Sequence, residues 1–286
     1  MKRRQHIVYM IIALTITCGF AASSGAAYVM GVDEDNERLD LFNTDDNSIT
    51  PIGFGLPDEI ESLAYAGGPT YYGFQSYNAS LQSQLYKFDV DVGLSGFSST
   101  PVGGPLDISN IDSAAYVDGK LYTVNNVSRK LYRVETDGSG FTEVMDLSSE
   151  GIHSKVEGMT LDPSSGKLYL MDSASGGVIY TIDGLDTTPV LAELGDTGFQ
   201  NVEGLAFAED GNLYGIADAY GGNTELFVIS LADGSGTSLF DGWGSDIEGL
   251  ASFSSYLIPE PASAIAFLTV VVVGIGAARR PRRACA

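Results

Sequence analysis

One short phrase recurs through this chain and limits what it can fold into. Val156-Glu157-Gly158-Met159-Thr160-Leu161 returns as Val202-Glu203-Gly204-Leu205-Ala206-Phe207 and as Ile247-Glu248-Gly249-Leu250-Ala251. Looser copies are Ile60-Glu61-Ser62-Leu63-Ala64-Tyr65 and Ile111-Asp112-Ser113-Ala114-Ala115-Tyr116. The acidic residues stand at 61, 112, 157, 203 and 248, in steps of 51, 45, 46 and 45 residues. A period in the forties, built from short apolar runs and turn residues, is that of propeller blades and not of a helical solenoid.

Each unit reads as four strands. In the best copy, Glu203 to Phe207 is the first strand, and Glu209-Asp210-Gly211-Asn212 is a hairpin turn of the kind that favours positive φ. Leu213 to Ala217 and Leu226 to Ile229 follow, then Ala232-Asp233-Gly234-Ser235-Gly236 turns into a fourth strand ending at Phe240. The 35 glycines and the alternating apolar residues suit many short strands and tight turns, and no stretch of the body carries the length and 3.6-residue period of an amphipathic helix. The chain's first and last pieces complete each other. Residues 28–60 hold three strand candidates (Tyr28 to Val32, Arg38 to Phe42, Ser48 to Ile52) without a leading strand, and Ile247 to Phe253 is a leading strand without the other three. Pairing them closes a ring with no exposed central edge. The expected fold class is therefore all-β, a β-propeller of five four-stranded blades over residues 28–254, with a β-sandwich as the alternative.

The two ends carry signals of another kind. Lys2, Arg3 and Arg4 precede an apolar core from Ile7 to Ala22, and Ser23-Ser24-Gly25-Ala26-Ala27 offers the small residues a signal peptidase reads, so residues 1–27 are expected to be a signal peptide. Near the other end stand Pro259-Glu260-Pro261, then 17 uncharged residues from Ala262 to Ala278, then Arg279-Arg280-Pro281-Arg282-Arg283. Seventeen residues is the short end of what crosses a bilayer as a transmembrane helix, and the arginines would be held on the cytoplasmic side. This layout resembles the PEP-CTERM sorting signal of Gram-negative bacteria. The resemblance implies an exported protein, transiently anchored in the inner membrane through residues 255–286 and passed by an exosortase to the cell surface or the extracellular space.

With residues 1–27 and 261–286 removed, 8 basic residues face 37 acidic ones, and the formal charge of what is left is −29. Such a surface repels nucleic acid, whose binding depends on Lys and Arg neutralising phosphates. Both cysteines, Cys18 and Cys285, lie in the ends, so the body has neither a disulfide nor a thiolate site. His153 is its one histidine, which argues against a histidine-based zinc centre.

In a propeller the first strands line the central channel, so Glu61, Asp112, Glu157, Glu203 and Glu248 should gather at one mouth as the candidate binding residues. The second strands run antiparallel, which brings Asp33, Gln75, Asn125, Asp172 and Asp218 beside them. This double ring of oxygens suits a hard cation such as calcium, with Asp33, Asp172, Asp218, Glu157 and Glu203 as the candidate ligands. The same carboxylates could instead accept hydrogen bonds from the next blade's backbone, or take part in catalysis. Trp243 could pack at a blade junction or stack on a sugar. The Glu-Gly-Leu phrase followed by a turn and Leu-Tyr resembles the regucalcin/gluconolactonase-like and phytase-like propellers, which implies a calcium-dependent hydrolase as one function. No nucleophile motif or anchoring arginine stands out. The other function, and the one favoured, is a non-catalytic propeller that binds an extracellular polysaccharide or a surface protein.

Overall fold

The computed structural model describes residues 26–258 apart from 77–81, 174–175, 220–222 and 244–245. The signal-peptide core and the whole of Pro259 to Arg283 lie outside the described residues. Among the described residues no helix is long and apolar enough to cross a membrane.

The described chain forms 20 strands in five four-stranded antiparallel sheets. The first complete blade is β4 (Ala64–Gly67), β5 (Thr70–Gln75), β6 (Gln84–Val90) and β7 (Phe97–Val102). The second is β8 (Ile111–Val117), β9 (Lys120–Asn125), β10 (Lys130–Glu135) and β11 (Thr142–Asp146). The third is β12 (Val156–Leu161), β13 (Leu168–Asp172), β14 (Val178–Asp183) and β15 (Val190–Asp196). The fourth is β16 (Val202–Phe207), β17 (Leu213–Ala219), β18 (Asn223–Ile229) and β19 (Gly236–Asp241). The fifth sheet joins β20 (Ile247–Ser252) to β1 (Tyr28–Asp33), β2 (Arg38–Asn43) and β3 (Ile49–Ile52) in the order β20-β1-β2-β3. The closing blade is thus made from both ends of the body, with Val29 opposite Ser252 and Asp33 opposite Ile247.

The ring is held by five apolar clusters, one at each junction between neighbouring blades. Leu41 and Tyr71 belong to one, Phe74 and Leu121 to the next, Leu131 and Leu170 to a third, Met171 and Leu205 to a fourth, Ile216 and Phe42 to the last. Trp243 sits in that last cluster, its ring centroid 4.7 Å from that of Phe42. The blade-junction role is the one the structure places it in.

The recurring phrase is a geometric unit. Its Val or Ile pairs with the second strand, its acidic residue lies at a β-bulge in the third and fourth complete blades and beside one in the closing blade, and its Gly or Ser occupies the channel waist. Val156 faces Asp172 and Gly158 faces Met171, so Glu157 is the extra residue, and Glu203 is extra between Val202 and Gly204. A bulge adds a residue, bends the strand and re-aims a side chain. The looser first copy departs further from expectation. Its strand begins only at Ala64, with Ile60 bridging Gln75 alone, so Glu61 to Leu63 cross the mouth as irregular backbone. At the waist the blades nearly touch. A Cβ on Gly204 would lie 2.6 Å from the Leu250 nitrogen, and one on Gly249 would lie 2.8 Å from the Ser62 Cα.

Both ends of the body leave from one face. First strands run from the acidic mouth to the opposite mouth, and Tyr28 and Ser252 stand at that far end. The segment after β20 is packed. Ser255–Leu257 forms a 3₁₀ turn, Leu257 is fully buried, and the Gly93 N–H donates to the Leu257 carbonyl at 3.0 Å.

Candidate functional site

The five repeated acids do gather at one mouth. Glu61 is hydrogen-bonded to Asp112, and Glu203 to Glu248, as two carboxyl pairs. Burial and the neighbouring Asp112 push Glu61 up to about 9, with the charge of Glu34 adding to the rise. Burial pushes Glu203 up to about 7; the Glu248 hydrogen bond opposes this, while the charges of Glu157, Asp246 and Asp218 add to it. Glu248 is driven well above the carboxylate range by burial and the charge of Glu203, so the pair retains a proton. Like charges this close in a half-dry site cannot all ionise, and protons stay behind.

Against these acids stands Lys155. Its Nζ lies 2.9 Å from Glu157 Oε1 and 3.7 Å from Asp112 Oδ2. Burial works against the ammonium, but the Glu157 hydrogen bond and the charges of Glu157, Asp112 and Glu61 outweigh it and raise its pKa. Asp112 itself is buried, and accepts from Ser76 Oγ at 2.8 Å and from Asn126 Nδ2 at 2.9 Å.

The second ring is split by register. Asp33, Gln75, Asn125 and Asp172 face Ile247, Ile60, Ile111 and Val156, but the residue facing Val202 is Ala217 and not Asp218. Asp218 belongs with Glu34, Ser76, Asn126 and Ser173, whose N–H groups each donate to the loop just before the first strand. Neighbouring strand residues point to opposite faces, so a shift of one position changes what a side chain meets. Members of the first set tie loops. Asp33 accepts from Asn36 and pairs with Arg38 at 2.8 Å, Gln75 donates to the Asp58 carbonyl at 2.8 Å, and Asp172 accepts from Ser154 Oγ and the His153 N–H. The second set looks across to the next blade. Ser76 Oγ accepts from the Ile111 N–H at 3.1 Å, and Asn126 Oδ1 from the Val156 N–H at 2.8 Å.

The tie between blades, considered above for the acids, is made by Ser76 and Asn126. Asn126→Ala leaves the buried Val156 N–H and one Asp112 oxygen without these partners. It is expected to lower unfolding stability by about 2–3 kcal/mol, read from urea melts.

A tighter group of oxygens joins Glu248, one of the repeated acids, to two carboxylates outside the expected rings. One carboxylate oxygen each from Glu34, Asp246 and Glu248 lies within 4.8 Å of the others. Burial raises both Glu34, with Asp246 adding, and Asp246, with Asp218 adding. Of the five candidate ligands, Glu157, Glu203 and Asp218 belong to the mouth's charge network, and Asp33 and Asp172 are spent on loop contacts. Glu34 sits one residue past Asp33, at the Ser76 and Asn126 position, so aligning the repeats one residue further would have found it. Lys155 had no such signal, since no other blade has a basic residue just before its repeat, whereas Asp246 shares its acid only with Glu59 of the looser first copy.

No protein-family model matches the chain, and no curated protein matches it in sequence. Solved structures do. A chain of the nidogen/laminin complex superposes with a TM-score of 0.54 at 13% identity, over 79% of this chain and 97% of its own. A structural-genomics protein of unknown function from Bacteroides thetaiotaomicron gives 0.51 at 16% identity, over 79% of this chain and 60% of its own. The chain is a β-propeller. At these identities the likeness is one of fold alone, and the propellers it resembles differ in function.

Proposed function

We propose that this is an exported, non-catalytic binding propeller, released from its leader by signal peptidase and sorted by an exosortase through Pro259-Glu260-Pro261 and the arginines at 279, 280, 282 and 283. At the cell surface or in the extracellular matrix its acidic mouth engages a polysaccharide or a surface protein. One observation carries the reading: the carboxylates crowd one mouth, and both ends of the body leave at the other. A propeller held by its C-terminal segment therefore turns its charged mouth away from the point of attachment. Glu157→Gln with Glu203→Gln is expected to reduce co-sedimentation with extracellular polysaccharide or recovery of a surface partner at least fivefold while the fold stays intact. Undiminished binding would overturn the mouth as the working face. Replacing Pro259, Glu260 and Pro261 by alanine should leave the protein in the inner-membrane fraction, and unchanged release would overturn the sorting reading.

A second reading is a calcium-dependent hydrolase, favoured by the Glu34, Asp246 and Glu248 oxygens. These residues are hard oxygen donors of the kind calcium takes. A ligand at 100 times its Kd adds about 2.7 kcal/mol. Chelation should then lower the Tm by roughly 5–10 °C for a body of this size. An identical melt in chelator removes the metal.

A further inference from the structure

A cavity of about 240 Å³ opens at the mouth opposite the carboxylates. Its floor is Leu63, Ala114, Met159 and Leu250, the residues that also close the waist, so it is a blind pocket. Tyr65, Tyr116, Phe207 and Phe253 contribute aromatic groups to its lining, and exposed Glu209 is the charged residue among its walls. Glu209 is positioned, since its Oε1 accepts from Ser254 Oγ and from the Ser255 N–H, both at 3.1 Å.

We propose that this cavity binds a small alkylammonium ion, its apolar stem in the pocket and its charge at Glu209. An anion would meet a carboxylate at the lip of a body with 37 acidic residues. A neutral apolar molecule would leave Glu209 without a counter-charge. An alkyl stem with a cationic head satisfies both regions, as Lys side chains do at protein surfaces. Size agrees: a cavity of roughly 150 Å³ holds benzene, so this one accommodates a stem of about six carbons. Lys155 shows the same pairing of ammonium and carboxylates at the other mouth.

The test compares n-hexylammonium, n-hexanol and hexanoate binding to the full chain by calorimetry at low and moderate salt. Hexylammonium should bind at least tenfold tighter than either analogue. Glu209→Gln should bring it within twofold of hexanol, whereas Glu150→Gln, the same charge change on the acidic-mouth face, should leave the preference intact. Ala115→Leu, which fills the pocket, should weaken hexylammonium at least tenfold, with a thermal melt checking the fold. If that variant does not fold, the Glu209 comparison still decides. Equal binding of hexanoate, no binding of hexylammonium, or the same loss in both glutamine variants would overturn the proposal. None of these outcomes bears on the acidic mouth.

Discussion

Gly249→Ala is expected to lower the unfolding free energy by about 4 kcal/mol. Two costs add. Gly249 has φ +62°, a left-handed conformation that an L side chain holds at a cost of about 1–2 kcal/mol. Its new Cβ would also lie 2.8 Å from the Ser62 Cα and 2.9 Å from the Leu63 nitrogen, which are backbone and cannot rotate away. Overpacking of this kind costs about 1–3 kcal/mol. Gly55→Ala is the control: its φ is +92°, yet nothing lies within 4 Å of the added atom, so it should lose only the conformational part. For a domain whose whole stability is about 5–15 kcal/mol, urea melts will separate the two easily. Equal losses would mean that the waist yields, and that the closing blade is not pressed against the first.

That contact explains how far the sequence could be read. The period of the phrase, its Gly or Ser after the acid, and the incomplete pieces at either end all follow from one repeated geometry, so blade number and closure were legible. Strand pairing is local and periodic, and β20 meeting β1 is what an unfinished first unit requires. The site was legible only where the repeat carried it. Glu157 and Glu203 are the bulged residues of their strands and Glu248 stands beside the bulge at Gly249, but Asp218 was assigned to the wrong ring. The eye aligns Asp172 with Asp218 by residue type, whereas the ladder aligns Asp172 with Ala217. Lys155 was invisible for a related reason. No other blade places a basic residue there, and a lone lysine in an acidic body reads as solvated until its partners are known.

Stability is expected to fall as pH rises from about 4.5 to about 9, the reverse of what paired carboxylates usually give. Glu61 and Glu203, with ordinary values of 4.5, are raised to about 9 and about 7 in the folded protein, and Glu248 is raised in the same direction. Below pH 4.5 these groups are protonated in both states, and their contribution is fully present. Between pH 4.5 and 9 the unfolded chain ionises first, so folding must recapture protons and loses free energy with every unit of pH. Each group still holding its proton in the folded protein alone adds a decline of about 1.36 kcal/mol per unit of pH. The acid side is bounded by turn aspartates such as Asp137 and Asp233, which serine hydrogen bonds hold below their usual value, so stability also drops as pH falls through that range. The maximum should therefore lie near pH 4, between the two ranges. Urea melts at pH 5, 7 and 9 and constant ionic strength measure the slope. Glu61→Gln with Glu203→Gln, which cannot ionise, should remove most of it. A wild-type stability that rises from pH 5 to 9 would show that the mouth does not hold its protons. Should calcium occupy the mouth, its positive charge would replace them, and the alkaline loss should disappear on adding the ion and return with chelator.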